Sequence, residues 1–588
     1  MNIMKKFQTG FVLLLAFILL FGCNPNDGET PTTNPNGSTL NFGPSVSKDF
    51  IGQIIDVSNN PIPNALVKIS GITKQTDANG IFIIKSATVN EQFALITVTK
   101  TGYIDGSRSL VPTTGTNSVK IMLLSNAPTQ TINSGASSTV TLLSDGTKVT
   151  FDGSFKTDAG VAYSGTVSVI LNHLSAADPS ISSKMPGMLL AQNGSGDAKV
   201  LETYGMINVE LRGSSGQKLQ ITNPAQIELP IATAQLATAP ATIALWHYDE
   251  TLGYWKEDGV ANKVGTVYKG TVSHFSWWNC DYPFDKANLC INVVNPAGSP
   301  IANVRVEITP VGSVYGRDGF TNLTGQVCGI VPANSPLTIK LYDNCNNAIL
   351  TTSVTGLAIN SNTVLPNIVL TQAMIPQTTI QGNLLKCDGT NVTNGYLLLN
   401  QSTGTNSMPV TNGTFNFTTL VCGTTGTSFT LKGFDFDNLQ TTSVLNFLYT
   451  FPITNVGNIS ACTSITEFIS YQFDGGPVTT LIGNLNASGQ GGIYGIFGSN
   501  PSVANQIAYI GCPITTPGTY TTANGFKYIK DSTPFYNIDN TVTNNVVFQL
   551  NSFGAIGQYI DMTVTGSFND TSNISHTINA TIHVIRDN

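Results

Sequence analysis

The sequence predicts an all-β chain, a tandem array of Greek-key β-sandwich domains behind an N-terminal export leader. Three observations predict it. The chain has 588 residues, more than one hydrophobic core can serve, so several domains of roughly 150 residues are expected. Charged residues make up only 10% of it, while 56 Gly and 28 Pro supply turn residues throughout, a composition of many short strands and little helix. Between those turns, apolar residues alternate with polar ones at period two, giving each strand one core face. Lys and Arg number 27 against 34 Asp and Glu, a net charge of -7, with no basic run, so no nucleic-acid partner is expected.

The leader comes first. Lys5 and Lys6 precede an unbroken apolar run from Phe11 to Phe21 that ends at Gly22 and Cys23. The run is too short for a bilayer core that needs about 20 residues, and a positive end, a short apolar stretch and a small residue before the cut describe a secretory signal. Leu20-Phe21-Gly22-Cys23 resembles a bacterial lipobox, although Phe21 stands where Ala, Ser or Thr is usual. That resemblance implies cleavage after residue 22, a lipid on Cys23, and partnership with the membrane through it. Several acyl chains would make such anchoring stable, where one binds only marginally. Residues 23–47 are dense in Pro, Asn, Thr and Gly and read as a flexible tether. The absence of Asp after Cys23 favours, by resemblance to known sorting rules, the outer membrane, with the protein facing the periplasm or the cell exterior.

A strand-turn-strand unit then occurs three times. Its copies begin at Gly52 (GQIIDVSNNPIPNALVKI), Ile291 (INVVNPAGSPIANVRVEI) and Gly382 (GNLLKCDGTNVTNGYLLL), and each is followed by a hairpin-like turn at Thr76, Thr321 or Val410. Asn79-Gly80 and Asn412-Gly413 occupy two of these turns, a pair that favours a type I′ hairpin because both residues tolerate positive φ. Thr324-Gly325 stands in the middle copy. Each unit holds enough strands for a seven-strand Greek-key sandwich.

The copies resemble the carboxypeptidase regulatory-like domain, a transthyretin-like or Ig-like sandwich that is not itself a peptidase. The first copy keeps the pattern best, in Gly52 to Asp56, Pro61 to Val67 and Thr76 to Phe82. The second keeps Pro300 to Val306, and the third keeps only the spacing. Between the first two copies, Leu201 to Leu211, Ile227 to Ile231, Leu245 to Gly259 and Val272 to Pro283 resemble the ectodomain segment shared by FAM171-type membrane proteins and the cartilage intermediate layer proteins. That segment is again β and has no known active site. The expected organisation is a leader at 1–22, the lipidated cysteine and tether at 23–47, repeats at 48–125, 288–372 and 373–462, the FAM171-like unit at 126–287, and a C-terminal β-sandwich at 463–588.

The chemistry of the chain is sparse. Of nine cysteines, the eight after Cys23 are disulfide candidates for an exported protein: Cys280, Cys290, Cys328, Cys345, Cys387, Cys422, Cys462 and Cys512. Cys328 and Cys422 fall at equivalent places, and Cys387 would meet Cys462 if the first and last strands of the third repeat lie parallel. No C-x-x-C, H-E-x-x-H, G-x-S-x-G or phosphate loop is present, so no catalytic residue, metal site or cofactor is expected. Five histidines, His173, His247, His274, His576 and His583, show no ligand spacing. Asp435-Phe436-Asp437-Asn438 lacks the Gly and distal Glu of a calcium loop and reads as a strand running into a turn. Trp246, Trp255, Trp277 and Trp278 fall in one stretch, and alternation puts Trp246 with Tyr248 on one face and Trp277 with Phe275 on another, as a core requires. Trp278 lies opposite Trp277 and is the candidate for contact with a ligand or a neighbouring domain.

These readings converge on a non-catalytic, lipid-anchored envelope protein, a β-sandwich stalk for binding or adhesion, with an envelope protein or a glycan as ligand. A carbohydrate-binding surface lipoprotein and an unrecognised hydrolase are the alternatives. Exposed aromatic faces would mark the former, a pocket of convergent polar groups the latter.

Overall fold

The computed structural model describes residues 40–588 except 402–403, 424–425, 465–466, 477–478, 482–483, 491–492, 500–506 and 532–533. The leader, Cys23 and most of the tether lie outside the described residues. The rest is an all-β array, 60% strand and 2% helix. No helix among the described residues is long and apolar enough to cross a membrane.

The first unit is a sandwich of three strands on four. Ser45–Asp56 lies between antiparallel Ile81–Asn90 and parallel Thr116–Leu123. The facing sheet runs Ile72–Gln75, Leu66–Ile69, Ala94–Thr99, Gly106–Leu110. Alternate residues Phe50, Ile54, Val67, Ile69, Ile96 and Val98 meet in the core, as period two requires. The other copies repeat this topology. Trp277–Val294 pairs antiparallel with Gln326–Pro332 and parallel with Asn362–Val364 and Ile368–Val369. Gln377–Lys386 pairs antiparallel with Thr414–Leu420 and parallel with Ile453–Ala461.

The repeat is carried by backbone bonds as well as by apolar pattern. The carbonyls of Gly80, Gly325 and Gly413 accept the N–H of Ile54, Val293 and Leu384 at 2.8, 2.8 and 2.6 Å. All three glycines have positive φ, at 69°, 70° and 78°. A Cβ on Gly80 or Gly325 would lie within about 2.5 Å of the first strand's carbonyl, so the close approach excludes a side chain. The turns themselves differ. Asn412 and Gly413 both have positive φ, as type I′ demands. In the first copy only Gly80 does; Gly80 N–H bonds the Asp77 carbonyl at 2.9 Å, and the hairpin is a turn followed by one left-handed glycine. Asp77 Oδ1 causes the difference by accepting the N–H groups of Asn79 and Ile81, both at 2.9 Å.

The strands between Gln130 and Val294 form a closed barrel, and through the last of them Gln326–Pro332, Asn362–Val364 and Ile368–Val369 of the second repeat join the same sheet. That last strand, Trp277–Val294, is 18 residues long and runs without a break across position 287 into the second repeat, so no linker separates the two units. The second and third repeats are joined by the short strand Ile301–Ala302, which pairs with Thr418 and Thr419, and by the disulfide Cys345–Cys422. The C-terminal unit is a six-stranded and a five-stranded sheet over a core that includes Tyr471, Phe526, Phe548 and Ile582.

Candidate functional site: an interdomain cleft and a pair of histidines

Sequence order does not become a linear stack. The first unit folds back onto the three units that follow it. Against the barrel, Ser107 Oγ donates to Tyr248 OH at 3.0 Å and Ser109 Oγ to the Gly253 carbonyl at 2.7 Å. Against the second repeat, Asn322 Nδ2 donates to Thr113 Oγ1 at 2.9 Å and Thr114 N–H to Gln326 Oε1 at 3.0 Å. Against the third, Tyr396 OH donates to Asp77 Oδ2, Asn79 Nδ2 donates to Tyr396 OH at 3.0 Å, and Lys85 Nζ reaches the Thr393 carbonyl at 2.9 Å. Ile51, Ile81 and Ile83 close that last seam against Tyr396 and Phe434.

Where the four units meet they leave a cleft of about 580 Å³, within the range of small-molecule sites. Its apolar walls carry charges of both signs. Arg108 donates from Nη1 to the Gly187 carbonyl at 3.1 Å, and burial lowers its guanidinium to about 10. Arg317 is lowered by burial against the pull of Asp281 and Asp318, and its Nε has no hydrogen-bond partner among the described residues. Burial raises the carboxyl of Glu202, which Ser313 and Arg317 oppose. Beside Thr203 in the cleft wall lies Asp281, fully buried. Burial holds its carboxyl well above the usual range, and Asn279 Nδ2 donates to its Oδ2.

The histidines, scattered in sequence, acquire partners across strands. His173 meets Asp145 at 3.0 Å, His576 meets Asp474 at 2.7 Å, and His583 meets Asp561. Ser552 Oγ also donates to Asp561, at 2.6 Å, which places the carboxylate between hydroxyl and imidazole. A nucleophile-base pair needs the imidazole in the middle. At the barrel rim His247 Nδ1 lies 3.7 Å from Asp258 Oδ2, and the His274 ring centroid is 4.9 Å from that of His247. Burial, then His274, lowers the His247 imidazole to about 4. A second grouping, Asp343 with Cys345 and Cys422, has both sulfurs in a disulfide and keeps only one carboxylate.

The structure pairs Cys290 with Cys328, Cys345 with Cys422, and Cys387 with Cys462. Cys280 and Cys512, grouped with them as disulfide candidates, are instead free and buried. One lies in the barrel core and the other in the C-terminal core, so neither can reach the other. Burial raises the Cys512 thiol to about 11. The alternation argument for Trp278 also needs correction. Trp278 does lie opposite Trp277, but both faces of the strand are covered. Trp278 is 1% exposed, inside the barrel, while Trp277, Trp246 and Trp255 pack in a second cluster outside it with Ile104 and Leu124 of the first unit's end. All four indoles are buried and offer no stacking platform. Asp435 Oδ1 accepts the N–H of Asp437 at 3.1 Å and of Asn438 at 3.2 Å, a capped turn.

The family model FAM171A1/A2/B, N-terminal, matches residues 51–277. The match covers the expected FAM171-like segment, 126–287, as far as residue 277 and extends back through most of the first repeat, two units that share the Ser107 and Ser109 seam. Comparison with curated proteins finds no match. Among solved structures, the shaft pilin SpaA of Lactobacillus rhamnosus GG is similar at 10% identity, over 31% of this chain and 98% of the pilin, with a TM-score of 0.16. The streptococcal ancillary pilin is 11% identical over 40% of this chain and 98% of its own, TM-score 0.14. The Bacillus anthracis TIE protein is 10% identical over 71% of this chain and 74% of its own, TM-score 0.14.

Proposed function

We propose that this is a non-catalytic cell-envelope protein, held at a bacterial outer membrane by lipid on Cys23, whose β units form a platform for binding or adhesion. The observation that carries the reading is the cleft enclosed jointly by four units. A ligand there touches all four at once, and a strand and a disulfide that pass between units keep them from separating when the ligand is pulled. Ordering four bodies beforehand removes an entropic cost that flexible beads would meet on binding. Arg317 Nε, a donor without a hydrogen-bond partner among the described residues, favours a ligand rich in oxygen acceptors, such as a glycan or an acidic segment of an envelope protein.

The test has two arms. Fatty-acid labelling should mark the chain and be lost in Cys23→Ala; equal labelling of both removes the anchor. A glycan array and envelope-extract capture with the mature chain should give binding that Ser407→Trp, which fills the cleft, abolishes. Binding unaffected by Ser407→Trp places the ligand elsewhere and overturns the role of the cleft.

A further inference from the structure

We propose that His247, Asp258 and His274 form a divalent transition-metal site at the rim of the barrel, with Zn²⁺ the ion that their chemistry fits best. Their ligand atoms all lie within 4.8 Å of one another. Two ligands bound at about 2.0–2.1 Å to a tetrahedral ion stand roughly 3.4 Å apart, and His247 Nδ1 to Asp258 Oδ2 is 3.7 Å. That separation is too long for a hydrogen bond and close to what an ion between the two would impose. His247 Nδ1 is shielded from solvent yet makes no hydrogen bond among the described residues, a costly arrangement for a nitrogen that has nothing else to do. Two imidazoles and one carboxylate select zinc, copper or nickel over calcium or magnesium.

The local fold is arranged around these three side chains. Between the pairs Ala244 with Val260 and Trp246 with Glu257 the register slips, leaving Asp258 and Gly259 opposite the single residue Leu245. Gly259 takes φ 100° there. Bulges of this kind re-aim side chains and gather at functional sites. Trp278 supports the third ligand: its Nε1 donates to the His274 carbonyl at 2.9 Å, and its indole lies 5.6 and 5.1 Å from the His247 and His274 rings. The bond fixes the main chain at His274, and the indole packed against both rings restricts the rotamers open to them. Asp258 is exposed, so the site opens to solvent and leaves a fourth position to water or to a ligand group.

The test is calorimetric titration of the mature chain, stripped with a chelator, with ZnCl₂ in a weakly coordinating buffer. Wild type should bind one equivalent. His247→Gln should abolish that binding. Asp258→Asn, which alters an exposed carboxylate and leaves the core intact, should weaken it by about tenfold or more, since even outer-shell losses cost about 10–100-fold. Co²⁺ in place of Zn²⁺ should give the visible absorption of a four-coordinate site in wild type only. Absence of saturable binding overturns the proposal. So does equal binding by wild type and Asp258→Asn, which would put the ion elsewhere, for instance at His576 with Asp474 and Asp570.

Discussion

Tyr396 is where the first unit is fastened to the third repeat, and Tyr396→Phe isolates that fastening with one atom. The phenol is fully buried, its ring stacks on Phe434 at 4.6 Å between centroids, and its hydroxyl serves Asp77 Oδ2 and Asn79 Nδ2 at once. Phenylalanine keeps the stacking and leaves both partners short of a bond. A hydrogen bond to a carboxylate contributes about 1.5–3 kcal/mol. Asp77 retains its two backbone donors, so a loss of about 2 kcal/mol is expected for the seam rather than for either unit alone. Tyr396→Phe, Asp77→Asn and the double variant form a cycle, read by native-state hydrogen exchange at the amides of Asn79 and Ile81 and at those of the Asn394–Gln401 strand. A direct contact gives a coupling energy of about 1–3 kcal/mol, and protection should fall on both sides of the seam together. Additivity within about 0.5 kcal/mol, or loss of protection confined to one unit, would refute the reasoning.

Three further outcomes are expected. Non-reducing peptide mapping should recover a Cys345–Cys422 peptide joining the second and third repeats, and Cys345→Ala with Cys422→Ala should cost about 2–5 kcal/mol and open protease sites between them; thiol labelling of the native chain should miss Cys280 and Cys512. Trp278→Ala should destabilise the barrel by about 3–5 kcal/mol, as an emptied core site does, and a variant melting like wild type would show that the indole is not in the core. Asp281 binds its proton more tightly in the native chain than in the unfolded one. Its contribution is therefore complete below the ordinary carboxylate range and is lost as pH rises toward its native titration point. Asp281→Asn should gain stability over wild type as pH rises, by about 1.4 kcal/mol for each tenfold difference in proton affinity between the two states, and urea melts in which wild type gains instead would contradict it.

Much of the fold is written in local pattern. The three repeats are legible because a turn glycine, Gly80, Gly325 or Gly413, each at positive φ, follows the apolar strand residue it binds, Ile54, Val293 or Leu384, by 26, 32 and 29 residues. The turn type of the first copy was not legible, since an Asn-Gly pair does not announce that Asp77 will cap it. Trp278 shows the limit of period two: alternation tells which residues oppose each other but cannot tell that both faces are covered. The five histidines show another. His247 and Asp258 come together through a cross-strand register, and His274 through a loop on a third element, so no offset in the sequence reveals the cluster. The seams around the cleft join residues hundreds of positions apart, such as Asn79 and Tyr396, and single polar side chains carry no mark of distant partners.

The central claim is that four units form one body around a cleft, and the distance between two of them tests it most directly. Spin labels at Lys74 in the first unit and Asn446 in the third repeat, both exposed positions, report that distance in the mature chain. A single narrow distribution is the expected result, broadening on Tyr396→Phe. A broad distribution in the wild-type chain, indifferent to that substitution, would mean that the units move as separate beads and that the cleft does not exist in solution.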